Sequence, residues 1–289
     1  MVNLNFLSDN LRTALKKTDI NILSEIRLRQ GFAVFGIFGG EKVYLSESGP
    51  TLNKGDAIIC SGQDILRCME FATEKSLYAF NDRLKRGFLT TKDGVRIGVA
   101  GDCVFEDDRI VTVKNISSLN IRIPHEIKDC SQKIYNKLFL REVFNTLIIA
   151  PPSKGKTTIL KDLARKLNDY LNSSILIIDE RGEFSTVCGE NIDVVKFSNK
   201  LYALEYSIRS MSPQIVITDE LQSCNDWQSA KIAAFSGVKI IASCHGKSIE
   251  DLRNKDYFIK NVFERYIVLD AEKSAGTVKG FYDGDFNEI

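Results

Sequence analysis

Residues 147–158, Leu-Ile-Ile-Ala-Pro-Pro-Ser-Lys-Gly-Lys-Thr-Thr, constrain this chain more than any other stretch. An apolar run without polar alternation ends at Ala150, two prolines follow, and Gly155-Lys156-Thr157 opens a segment of helical spacing. Strand, tight turn and helix start, in that order, make the layout of a P-loop, where backbone N–H groups and the positive helix end face a phosphate. The usual spacing is Gly, four residues, then Gly-Lys-Ser/Thr. Here Ala150 stands where the first glycine is expected, and Ser153-Lys154 fill the loop centre.

The chain behind this loop supports it. Apolar runs at 147–150, 175–178, 215–218 and 240–243 are short and lack polar alternation. That is expected of strands buried on both faces of a parallel sheet. Helical spacing lies between them, at 157–167, 201–211 and 226–235, and two further strands are expected at 265–269 and 276–282. The second half therefore reads as an α/β domain with a mostly parallel sheet.

The first half is a smaller α+β region. Helices are expected at 6–17 and 63–72, the second with Ser61 as N-cap, and another at 74–84. Strands are expected at 26–29 and 32–38. One hairpin is expected from 88–91 and 95–100 about the turn at 92–94, and another from 103–105 and 110–113 about 106–108. Residues 119–123 add a strand, and 127–144 are helical or linking. The boundary is placed near residue 140, which gives domains 1–140 and 141–289. Alternation puts Arg96 and Arg122 on the sheet face opposite the core, which suits a solvated surface as well as a functional one.

Composition removes several classes of function. A net charge of +1 gives no bulk attraction for nucleic acid or an anionic membrane. Seven cysteines, with no Cys-x-x-Cys pair, suggest neither a disulfide framework nor a zinc site. The first residues lack a basic start followed by an apolar core, so no signal peptide is expected. No run approaches the roughly 18 apolar residues of a spanning helix. Work at a membrane would proceed from the cytoplasmic side through a partner.

Four features fall where ligands bind in such sheets, at the carboxyl ends of strands. In the first, Pro152, Ser153, Lys154, Gly155, Lys156, Thr157 and Thr158 would cradle nucleotide phosphates. Lys156 would reach the β- and γ-phosphates of ATP, and the Thr157 hydroxyl would hold Mg2+. The second is Asp219-Glu220 after the run at 215–218, a Walker B arrangement. Asp219 would bind Mg2+ through water, and Glu220 would polarise the attacking water. The third is Asp179-Glu180-Arg181-Gly182-Glu183, where Glu180 could shape the γ-phosphate site; a charge-paired surface is the plainer alternative. The fourth is His245, placed to sense the γ-phosphate or position water, although a lone histidine is more often structural.

In this order the motifs resemble those of the secretion ATPases, RecA-like motors of type II, type IV and related export systems. Within that group the chain is most similar to the stage III sporulation AA family of endospore-forming bacteria. The resemblance rests on Glu25-Ile26-Arg27-Leu28-Arg29, Gly94-Val95-Arg96-Ile97-Gly98, residues 116–123, Ile178-Asp179-Glu180-Arg181, Arg209-Ser210-Met211-Ser212-Pro213 and the P-loop. It implies a RecA-like P-loop NTPase domain preceded by the smaller α+β domain. It also implies ATP hydrolysis with Mg2+ and assembly into a ring, a hexamer. The resemblance places the protein in the mother cell, peripheral at the inner face of a membrane, with membrane components of a secretion-like channel to the forespore as partners. Arg96 and Arg122 match strands whose arginines approach the nucleotide in related motors. The family loop reads Gly-Pro-Pro-Gly-Ser-Gly-Lys-Thr, so Ala150, Ser153 and Lys154 are departures. If position 153 is left-handed, Ser153 carries strain of about 1 kcal/mol or more. Two other functions stay open: a RecA- or helicase-type ATPase driven by nucleic acid, which the near-neutral charge disfavours, and a scaffold whose altered loop no longer hydrolyses ATP.

Overall fold

The alternation at 95–99 and 119–123 becomes a sheet with one buried face. Ile97, Leu119 and Ile121 lie in the core, while Arg122 is exposed. The computed structural model describes residues 4–73, 88–91, 94–106, 109–124, 127–184, 186–196 and 199–289. The helix expected at 74–84, the turn residues Lys92, Asp93, Asp107 and Asp108, and His125 lie outside the described residues. Two compact units divide between residues 125 and 126.

In the first unit the described strands are β1 (Leu23–Arg29), β2 (Phe35–Phe38), β3 (Glu41–Ser46), β4 (Gly49–Thr51), β5 (Phe88–Thr90), β6 (Arg96–Glu106) and β7 (Arg109–Arg122). They form one antiparallel sheet in the order β4-β3-β2-β1-β7-β6-β5. Helices α1 (Asp9–Lys16) and α2 (Gly62–Ala72) cover one face. Ser61 closes α2 with a capping box: its Oγ accepts from Asp64 N–H, and its own N–H donates to Asp64. Ile65, Cys68, Met69 and Ala72 then point into the core at helical spacing. The first expected hairpin is the β5–β6 pair, with Leu89 opposite Ile97. The second is one end of a β6–β7 pair that is longer than expected: 96–100 and 103–105 are one strand, as are 110–113 and 119–122, with register shifts at 100–102 and 104–105. The first shift is seated at Gly101, where a Cβ would sit 2.5 Å from the Lys114 carbonyl oxygen. A bulge there bends the pair without ending it.

The second unit builds a sheet in the order β10-β9-β11-β12-β8-β13-β14. Its strands are β8 (Thr146–Ile149), β9 (Ile175–Asp179), β10 (Ile192–Lys196), β11 (Ile215–Thr218), β12 (Lys239–Cys244), β13 (Arg265–Leu269) and β14 (Val278–Asp283). All pair in parallel except β14, which runs antiparallel to β13. Helices α3 (Gln132–Leu138) and α4 (Lys156–Tyr170) share a core with Ile148, Ile177, Ile217 and Ile241. Helices α5 (Lys200–Met211), α6 (Cys224–Phe235) and α7 (Ile249–Arg253) share another with Leu147, Ile149, Val216 and Ile240. Successive strand residues thus bury on opposite faces, which is why these runs show no polar alternation. Edge strand β10 and the short α7 carry no such signal and were not expected.

The division falls ahead of residue 140 because α3 belongs to the second unit. Asp162 of α4, itself buried, accepts from the N–H of Asp129 and from both the N–H and the hydroxyl of Ser131, at 2.6–3.0 Å. Lys166 reaches Asp129 and Gln132 at 2.6 Å. The start of α3 is therefore fastened to the helix that follows the P-loop.

Candidate nucleotide site

The carboxyl ends of β8, β11 and β12 enclose a cavity of about 460 Å3. Pro152, Ser153, Gly155, Lys156, Thr157, Thr158, Asp219, Glu220 and His245 line it, so most of the expected site residues converge on one place. Arg181, Glu183, Ser243 and Ala275 line it too.

The loop adopts a tight P-loop turn without most of its glycines. Ser153 has φ 60° and Gly155 φ 87°, both left-handed. Only the second is met by glycine, so Ser153 carries the left-handed strain of about 1–2 kcal/mol. Lys154 departs from the expectation that it contacts phosphate. It is not among the lining residues. Its Nζ donates to the Lys273 carbonyl at 2.9 Å, and its own carbonyl accepts from Gly276 N–H at 3.0 Å. The loop between β13 and β14 thus holds the P-loop centre, and its Ala275 reaches the cavity wall.

Lys156 is buried, and its ammonium donates to the carbonyls of Ala150 at 3.0 Å and Pro151 at 3.1 Å. It also lies 3.0 Å from His245 Nδ1. A lysine has only donors, so Nδ1 is the acceptor, and Nε2 carries the proton that His245 donates to Glu220 Oε1. Burial, and after it the Lys156 charge, hold the His245 pKa below its ordinary value, consistent with this neutral ring. The second Glu220 oxygen receives Arg181 at 2.8 Å. Burial likewise lowers the Lys156 pKa, against the opposing pull of Glu220.

Asp219 is buried, and its Oδ1 has no hydrogen-bond partner among the described residues. Lys200 is the nearest cation, at 3.8 Å, too far for a hydrogen bond. Burial pushes the Asp219 pKa up to about 7. An orphaned carboxylate oxygen beside a phosphate loop, with the Thr157 residue also on the cavity wall, fits the donor set of a hydrated Mg2+.

Glu180 is a second expected residue that the structure takes elsewhere. It pairs with buried Lys200 at 2.6 Å and does not line the cavity. The reason is the turn after β9. Asp179, fully buried, accepts from the N–H groups of Glu183 and Phe184 at 2.8 and 2.9 Å. That turn carries Arg181 and Glu183, not Glu180, to the cavity wall. Sequence spacing identified the acidic box but not which of its members faces inward. Lys200 gave no sequence signal, since it lies far along the chain from both Glu180 and Asp219 and meets them only in space.

In the first unit Arg96 and Arg122 are register partners on β6 and β7. Arg96 stacks over the Phe88 ring at 3.5 Å, and Arg122 Nε lies 3.5 Å from Glu25. Both stand on the face away from the core, as the alternation requires.

Comparison with known proteins gives the lineage. The family model for sporulation stage III, protein AA, matches residues 2–288. The chain belongs to that family. It is 33% identical over 284 residues to stage III sporulation protein AA of Bacillus subtilis (strain 168), covering 92% of this chain and 89% of the relative. Among solved structures, the pilus retraction motor PilT with bound ADP matches with a TM-score of 0.61 at 16% identity, over 90% of this chain and 78% of that one. The Legionella pneumophila ATPase DotB matches with a TM-score of 0.60 at 12% identity, over 96% and 77%. At these identities the likeness is one of fold: an antiparallel sheet followed by a mostly parallel α/β sheet of the secretion-ATPase kind. Among the described residues, no helix is long and apolar enough to cross a membrane.

Proposed function

We propose that this sporulation-family protein hydrolyses ATP and acts as a motor subunit of a secretion-like channel between mother cell and forespore. The observation that carries the reading is Asp219, a buried carboxylate on the cavity wall with an unpartnered oxygen, next to Glu220 and across from the P-loop lysine. Such an atom is costly to leave unsatisfied. Asp219 and the Thr157 hydroxyl are the groups to hold Mg2+, which when bound supplies positive charge against the β- and γ-phosphates.

The chain's own residues divide the remaining work. Lys156 leaves the Ala150 and Pro151 carbonyls for the phosphates. Glu220 takes a proton from the attacking water, while the His245 Nε2–H holds its other oxygen. The water oxygen bonds to the γ-phosphorus, the bond to the bridging oxygen breaks, and ADP leaves with that electron pair. Copies of the chain form a ring, a hexamer, in which Arg96 and Arg122 approach a nucleotide across or beside a subunit boundary. Membrane components of the sporulation complex hold the ring at the inner face of the mother-cell membrane.

Hydrolysis by the full chain with Mg-ATP tests this. Glu220→Gln should lower turnover by about a hundredfold or more, the size of a lost general base, with ATP binding retained. Lys156→Ala should lose ATP binding in calorimetry. The left-handed Ser153 and outward Lys154 favour one second reading, a scaffold, and absence of ATP binding by the wild type would support it instead. Strong stimulation of turnover by single-stranded nucleic acid would point away from export.

A further inference from the structure

Arg181 stands on the wall of the cavity with its guanidinium on the carboxylate that hydrolysis requires. Its Nη2 is 2.8 Å from Glu220 Oε2, and Glu220 Oε1 already accepts from His245. With a donor already on each oxygen, an incoming water must compete for Glu220.

The surroundings fix the backbone of Arg181 and leave its side chain free to turn. Asp179 clamps the turn from below through the N–H groups of Glu183 and Phe184. Phe184 is fully buried, and Gly182 has φ 74°. Glu180, the nearest acid in sequence, is engaged by Lys200 at 2.6 Å. Glu220 is therefore the ion-pair partner of Arg181 among the described residues, and the Arg181 side chain is 47% exposed. A guanidinium binds phosphate oxygens bidentately, and a terminal phosphate carries more charge than one carboxylate.

Resting on the ATPase reading above, we infer that Arg181 is a γ-phosphate sensor, seated on Glu220 and drawn from it to the γ-phosphate when ATP enters. Its transfer frees Oε2 of Glu220 for the attacking water. ADP lacks the group that draws the arginine away, so with ADP bound Glu220 stays clamped. The site thereby links the readiness of its base to the presence of a triphosphate, using a residue of the same chain.

Calorimetric titration of the full chain with Mg-ADP and with a non-hydrolysable Mg-ATP analogue tests this, in wild type, Arg181→Ala and Arg181→Lys. Wild type should bind the analogue about tenfold or more tighter than ADP, the scale of one charged hydrogen-bonding pair. Arg181→Ala should bring the two affinities within about twofold while leaving ADP affinity within about twofold of wild type. Arg181→Lys, which keeps the charge without the fork, should retain part of the preference and carries the comparison if the alanine variant is unstable. An unchanged ratio in the variants, or equal weakening of both nucleotides, overturns the sensor. Equal wild-type affinity for both nucleotides overturns it too, while leaving the ATPase reading intact. A wild type that binds neither nucleotide overturns both.

Discussion

Ser153 shows how one side chain can depart from a motif and leave its geometry in place. It sits at φ 60° in the phosphate loop, where the family pattern has glycine. Ser153→Gly should raise stability by up to about 1 kcal/mol, because relief of the left-handed strain outweighs the added freedom of the unfolded chain. Denaturant unfolding reads this directly, and a destabilised glycine variant would show that Ser153 is not strained. Asp219 makes a second prediction, through pH. Burial raises its pKa from 3.8 to about 7, so between those values the folded protein holds a proton that the unfolded chain has lost. Stability therefore falls as pH rises through that window. Asp219→Asn removes the burden, so its melting temperature should exceed that of nucleotide-free wild type by about 5 °C at pH 8 and by much less at pH 5. An equal difference at both pH values would rule out the buried carboxylate as the cause.

At the scale of elements, the P-loop helix depends on its neighbour. Asp162 gives α3 its start by accepting three hydrogen bonds at once, two of them from Ser131. Asp162→Ala leaves those donors without a partner in a buried place and should cost about 3 kcal/mol. Thermal unfolding measures the loss, and a change under 1 kcal/mol would mean that water replaces the carboxylate. The elements nearest the chemistry were the most legible. Strands β8, β9, β11 and β12 announce themselves as short apolar runs, because both of their faces are buried. Strands β3, β4 and β10 do not, since they lie at or near sheet edges and none of them is buried along its whole length. Strand β6 reads as two separate strands in the sequence because the bulge at Gly101 resembles a turn signal when only neighbours in sequence are considered.

At the scale of the whole molecule, the proposed motor gives a task to the arginines of the first unit. Arg96 and Arg122 lie on the exposed face of the first sheet, and their contacts to Phe88 and Glu25 are surface contacts of small energetic weight. Arg122→Ala should therefore leave the melting temperature nearly unchanged and lower ATP turnover. Turnover equal to wild type would end the case for its role at the nucleotide. Light scattering with the non-hydrolysable analogue should show a nucleotide-dependent ring.

The order of residues alone carries the strand, tight turn and helix start of 147–158 within a mostly parallel α/β sheet, and it places Asp219, Glu220 and His245 directly after neighbouring strands. Those are matters of local period and of spacing from strand ends, which the order of residues carries. Only the tertiary structure decided that Glu180 turns to Lys200 while Arg181 enters the cavity. It also decided that Lys154 grips the loop between β13 and β14, residues more than a hundred positions away. Each of those outcomes is a competition among charged side chains for partners brought together by the sheet, and the winner depends on distance in space.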